Sequence, residues 1–154
     1  MLYFAYGSNM DWAQITARCP STRYVTVAML GDHRLAFTRR SVNRGCGVAD
    51  AVHESGRKVW GVVYEVSDLD LGRLDTSEGY LPGRDRNSYW RRECVVFANG
   101  NEDEPHTAAT YFADPQTNPP LPNRSYKELI LSGARHWHLP PEYIAELEQI
   151  RVAG

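Results

Sequence analysis

The chain holds 154 residues, 42% hydrophobic and 23% charged, with a formal net charge of −2 from 17 basic and 19 acidic side chains. Such a composition belongs to a folded globular chain and excludes a disordered or fibrous one. Without a basic excess, sequence-independent nucleic-acid binding is disfavoured, because it works by displacing counterions with lysine and arginine. No apolar run nears the ~18 residues of a membrane span, and Met1–Tyr6 is too short and lacks the positive flank of a signal peptide. The expectation is one domain over 1–154, cytoplasmic, with Cys19, Cys46 and Cys94 as reduced thiols, since their odd number and wide spacing fit neither a disulfide framework nor a zinc site.

In chain order, Leu2–Ala5 is a short apolar strand running into Tyr6-Gly7-Ser8-Asn9, and Met10–Arg18 reads as a helix stopped by Cys19-Pro20. Tyr24–Leu30 and His33–Thr38 are strand-like and joined at Gly31-Asp32. Gly47–Val52 and Val59–Val66 follow, with Ser55-Gly56 turning between them. Asp68–Glu78 is a helix with Ser67 or Asp68 as N-cap and Gly79 at its stop. Tyr80–Ser88 is a surface loop, and Tyr89–Phe97 and Thr107–Phe112 pair around the polar turn Asn99–Glu104. The four prolines of Asp114–Pro122 make an extended connector. Two helices end the chain, separated by Pro140-Pro141: Tyr126, Leu129, Ile130, Gly133, Ala134 and Trp137 recur at helical spacing, then Tyr143, Ile144, Leu147 and Ile150. The pattern predicts an α+β fold, a mixed sheet or small barrel with inserted and C-terminal helices.

Two segments can carry chemistry. Tyr6-Gly7-Ser8-Asn9 lies between strand and helix, where uncommitted N–H groups and a glycine make an anion cradle; the alternative is an ordinary turn with Asn9 or Asp11 capping the helix. Ser8 does not fit a hydrolase nucleophile, because its neighbours are not Gly-x-Ser-x-Gly. Leu71, Leu74 and Glu78 share one helix face, so Glu78 points inward at the negative end of the helix dipole, where burial and dipole both raise its pKa toward proton transfer. Asp68 and Asp75 fall off that stripe and are expected in solvent. His136 and His138 diverge on a helix and lack a third metal ligand, so no metal is expected. Nothing places a histidine beside Cys46. The basic residues are fifteen arginines and two lysines; forks gripping carboxylates or phosphates are one reading and codon bias the other.

Three segments together carry a resemblance. Leu-Tyr-Phe-Ala-Tyr-Gly-Ser-Asn-Met at 2–10 resembles the opening of the γ-glutamylcyclotransferase family. Val-Trp-Gly-Val-Val-Tyr-Glu-Val at 59–66 and Leu-Asp-Thr-Ser-Glu-Gly at 74–79 are similar to its central strand and catalytic helix. Ser-Tyr-Lys-Glu-Leu-Ile-Leu-Ser-Gly-Ala-Arg at 125–135 and Leu-Pro-Pro-Glu-Tyr at 139–143 resemble its C-terminal helices. The resemblance implies a mixed barrel-like fold, no cofactor, and release of an amino acid or amine from a small γ-glutamyl substrate as 5-oxoproline forms; the charge balance and the lack of a long apolar run already argue against nucleic acid and membrane as partners, and a homodimer stays open. It makes Tyr6, Gly7, Ser8 and Asn9 the substrate-binding loop, Glu78 the acid/base and Tyr126 a pocket residue. Tyr89 matches a further pocket tyrosine, with Tyr80 competing for that role beside a loop at 80–88 that is longer than usual and borders the pocket. Kept beside this are action on γ-glutamylamines, removal of a γ-glutamyl protecting group, and a non-catalytic carboxylate-binding module.

Overall fold

The computed structural model describes residues 1–153, and its five strands close into a barrel. The strands are β1 (Leu2–Ala5), β2 (Arg23–Arg40), β3 (Gly47–Glu65), β4 (Tyr89–Ala98) and β5 (Pro105–Ala113), ordered β1-β3-β2-β4-β5 around the barrel. β1 runs antiparallel to β3, with Phe4 opposite Val63, and parallel to β5, with Tyr3 opposite Ala109. A parallel closure makes the sheet mixed, as the sequence led us to expect. Phe4, Val62, Val63, Tyr64, Leu71 and Leu74 fill the interior, each 0–1% exposed. Full burial of such a side chain contributes about 1.5–3 kcal/mol.

The joints expected at Gly31-Asp32 and Ser55-Gly56 do not divide strands. β2 and β3 form one long ribbon whose ladder jumps from Gly31 opposite Lys58 to His33 opposite His53, leaving Glu54–Arg57 looped out. Asp32 takes a left-handed conformation (φ 56°), and its Oδ1 accepts from the Gly56 N–H at 2.9 Å. Turn-forming residues here build a bulge, because pairing resumes on its far side and the ladder outweighs the local signal.

Four helices dress the barrel: α1 (Trp12–Arg18), α2 (Asp68–Ser77), α3 (Arg124–His136) and α4 (Pro141–Glu148). The helix expected from Met10 starts later, because Ser8–Met10 form a 3₁₀ turn and Asp11 caps α1, accepting from the Gln14 N–H at 3.0 Å. Ser67 caps α2 by accepting from the Asp70 N–H at 3.2 Å, and Asn123 caps α3 by accepting from the Tyr126 N–H at 2.9 Å. α3 lies hard against the 3₁₀ turn: a Cβ added at Gly133 would fall 2.4 Å from the Met10 carbonyl carbon. Trp137 belongs to this packing, stacked on Tyr24 at 4.5 Å and donating to the Met10 carbonyl at 2.9 Å.

Asp75 departs from expectation. It is 7% exposed, accepts from the Tyr111 hydroxyl at 2.6 Å, and pairs with Arg91 at 3.0 Å. α2 is covered on two sides, by its leucine stripe and by the barrel wall, so a residue next to the stripe is also buried. Asp68 is exposed as expected. No helix among the described residues is long and apolar enough to cross a membrane.

Candidate active site

A cavity of about 480 Å³ opens where the Tyr6–Asn9 segment, the end of α2, the upper β2–β3 ribbon and the start of α3 meet. Tyr6, Gly7, Ser8, Asn9, Glu78, Tyr89 and Tyr126 all line it, though they come from four separate parts of the chain. Tyr80 does not; it packs toward Trp90 and Arg91 instead. Of residues 80–88 only Ser88 reaches the cavity, so that loop shapes one edge and contributes little to the lining.

Glu78 sits one residue past α2 as its C-cap, with its side chain 18% exposed. Burial raises its carboxyl above the ordinary glutamate range, and Arg18, Arg44 and the Asn9 amide pull the other way without cancelling that rise. Arg18 approaches to 3.8 Å and the Asn9 Nδ2 donates to Glu78 at 3.4 Å. The Asn9 amide can face only one way. Its Oδ1 accepts from Arg18, an obligate donor, at 3.0 Å and from Gln14 Nε2 at 2.9 Å, the Gln14 amide being oriented by Arg44, and this turns the Asn9 NH₂ toward Glu78 and the Tyr3 hydroxyl at 3.0 Å.

Gln14, on the first turn of α1, ties this network together. Its Nε2 also donates to the Ser8 Oγ at 2.7 Å, and its Oε1 accepts from Arg44 at 2.9 Å. Ser8 is therefore an acceptor in a scaffold, and no histidine among the described residues lines the cavity to activate it as a nucleophile. Gln14, Arg18, Arg44 and Tyr3 did not emerge from the sequence; the one available signal was the helical spacing of Gln14 and Arg18 just after Asn9.

The tyrosines divide by the direction of their hydroxyls. Tyr6 donates to the Tyr111 carbonyl and Tyr89 to the Ala49 carbonyl, leaving oxygen lone pairs free to accept from a ligand. Tyr126 instead accepts from the Ala49 N–H at 2.9 Å, which leaves its own proton free to donate. Burial pushes the Tyr126 phenol up to about 12 and raises Tyr6 and Tyr89 as well, so all three are neutral at pH 7. Gly7 passes close beneath them: a Cβ there would lie 3.2 Å from the Ala49 Cβ and 3.6 Å from the Tyr126 hydroxyl. Met10 and Asp11 donate back to the Gly7 and Ser8 carbonyls, closing the turn behind the amides that precede them. No group of three His, Cys, Asp or Glu side chains is arranged as metal ligands among the described residues.

Fold and cavity define a class: a closed mixed barrel with a small-molecule cavity built around a buried carboxylate and arginines. The family model described as gamma-glutamyl cyclotransferase, AIG2-like, matches residues 3–137. Gamma-glutamylcyclotransferases of Bos taurus and Homo sapiens are each 34% identical to this chain over 97% of it and 78% of their own length. A solved structure described as a gamma-glutamyl cyclotransferase aligns with a TM-score of 0.88 at 32% identity, covering 99% of this chain and 89% of that one. The chain belongs to the gamma-glutamyl cyclotransferase, AIG2-like family.

Proposed function

We propose that the chain closes the γ-glutamyl group of a small γ-glutamyl compound into 5-oxoproline, with Glu78 as acid/base. The observation that supports it best is the Glu78 carboxyl itself, buried within the cavity and facing the Gly7–Asn9 turn. The substrate reacts as its free α-amine. The amine nitrogen attacks the γ-carbonyl carbon of the same molecule, so the cavity has only to hold the chain curled, an advantage that intramolecular reactions share. As the new C–N bond forms, the attacking nitrogen gives one proton to Glu78. The carboxyl then delivers it to the leaving nitrogen as the old C–N bond breaks. Glu78 ends in its starting state, and a pKa raised toward neutrality suits both halves of that relay.

Charge develops on the carbonyl oxygen. The Tyr126 hydroxyl, with its free proton, and the amides of the Gly7–Asn9 turn are the donors for it, a role worth about 3–4 kcal/mol in comparable sites. Tyr6 and Tyr89 offer lone pairs to the substrate amine. A cytoplasmic site of action fits the three free thiols, Cys19, Cys46 and Cys94.

The test is release of 5-oxoproline from γ-glutamyl amino acids by the parent and by Glu78→Gln. The expected result is a fall in kcat of roughly 10²-fold or more with substrate still bound, the scale of a lost acid/base group. Near-parental turnover by Glu78→Gln would remove Glu78 from the chemistry, and no release by the parent from any γ-glutamyl compound would overturn the reaction.

A further inference from the structure

The cavity carries more positive charge than the proposed reaction needs. Four arginines line it: Arg18, Arg39, Arg40 and Arg44. Arg18 is occupied by Asn9 and Glu78. Arg39 donates to the Asp114 carbonyl at 3.0 Å and has the Asp114 carboxylate at 4.0 Å. The other two have no carboxylate partner among the described residues: Arg44 bonds only the neutral Gln14 and lies 4.8 Å over the Tyr126 ring, and no bond from the Arg40 guanidinium is formed. With Glu78 ionised and Asp114 counted against Arg39, two guanidinium charges remain uncompensated on the ribbon end that forms the outer wall.

We propose that Arg40 and Arg44 form an anion subsite for the leaving group, and that the preferred substrate is a γ-glutamyl compound of net charge −2, whose leaving amino acid is itself dicarboxylic. The inference rests on the cyclisation reading for its substrate and adds the specificity. A γ-glutamyl alkylamine has one carboxylate and one ammonium and is neutral overall. A γ-glutamyl peptide of a neutral amino acid carries −1, and γ-glutamylglutamate or γ-glutamylaspartate carries −2, which matches the excess. The reacting γ-carbonyl belongs beside Glu78 and the Gly7–Asn9 turn, so the leaving group extends toward the ribbon end. Guanidinium forks are suited to carboxylates there, and with Arg40 exposed and Arg44 half-buried both stay hydrated and available.

The experiment compares γ-glutamylglutamate, γ-glutamylalanine and γ-glutamylethylamine as substrates of the parent and of Arg40→Gln, and as ligands of Glu78→Gln by calorimetry. Expected for the parent is a KM that rises about tenfold at each step from the −2 to the neutral compound, with a preference that shrinks as ionic strength is raised. Arg40→Gln should lower the glutamate-to-alanine preference about tenfold, through KM and not kcat. Arg40 is exposed, so folding is not at stake. Equal use of the three compounds by the parent would overturn the subsite and leave cyclisation standing. Binding in the expected order without 5-oxoproline release would do the reverse. A full glutamate preference in Arg40→Gln would take Arg40 out of the subsite, and no binding of any compound would overturn both readings.

Discussion

Gly133→Ala tests whether α3 sets the position of the substrate-binding turn. The added Cβ would meet the Met10 backbone and Cβ at 2.4–2.6 Å. Ordinary carbon contacts begin near 3.5 Å, so the helix and the 3₁₀ turn must part by about 1 Å. Rotating a side chain gives no relief, because the obstacle is backbone. Overpacking of this kind costs typically 1–3 kcal/mol, and an immovable obstacle puts this case near the upper figure. Against it stands the gain from replacing glycine with alanine inside a helix, about 0.5–1 kcal/mol. The clash wins, and the variant should be about 2 kcal/mol less stable, a fall in Tm of roughly 4–8 °C for a chain of this size. Separation of these elements also moves Asn9, adjacent to Met10, relative to Tyr126, two turns before Gly133, so KM should rise. Thermal unfolding followed by circular dichroism, together with steady-state kinetics, reads both effects. A variant melting at or above the parent's temperature would refute the reasoning, since helix propensity would then outweigh the contact.

Burial raises the Glu78 carboxyl in the folded protein, so unfolding releases a proton between the unfolded and folded pKa values and stability declines as pH rises through that window. Glu78→Gln should therefore resist urea better than the parent at pH 7, with the two converging below the unfolded value of about 4.3. Tyr126→Phe removes the acceptor of the buried Ala49 N–H, and should cost about 1–3 kcal/mol in urea titrations as well as turnover, where a mere packing role would leave both nearly unchanged. Asp75→Asn weakens the bonds to Tyr111 and Arg91; because Arg91 is partly hydrated, the loss should be about 1–2 kcal/mol, seen in stability more than in kcat. Ser8→Ala removes one acceptor from Gln14 and should change kcat by less than tenfold; an acyl-enzyme trapped on Ser8 would contradict its scaffold role.

What was legible in the sequence follows from the range of the forces involved. Glu78 could be placed inward because the leucines that bury it are four and seven residues away on the same helix, and helical periodicity is local. The same local rule misplaced Asp75, whose burial comes from Tyr111 and Arg91 on neighbouring strands of the barrel. The Gly31-Asp32 and Ser55-Gly56 signals correctly marked departures from regular strand, yet a bulge and a turn use the same residues and differ only in whether pairing resumes beyond. Gln14 was silent for a related reason: its bonds to Ser8, Asn9 and Arg44 exist only once α1, the turn and the ribbon end are assembled.

The looped-out stretch at Glu54–Arg57 makes the ribbon a hinge of roles. Below it, residues 24–31 and 58–65 are staves of the barrel; above it, residues 33–40 and 47–53 lean over the cavity and carry Arg39, Arg40 and Ala49. All four residues of the loop are exposed. Extra length inserted there would extend into solvent and leave both halves intact, whereas a single residue added between Ser41 and Cys46 would redraw the outer wall of the cavity. Within one pair of strands, the chain thus keeps a place where change is silent apart from a place where change alters what is bound.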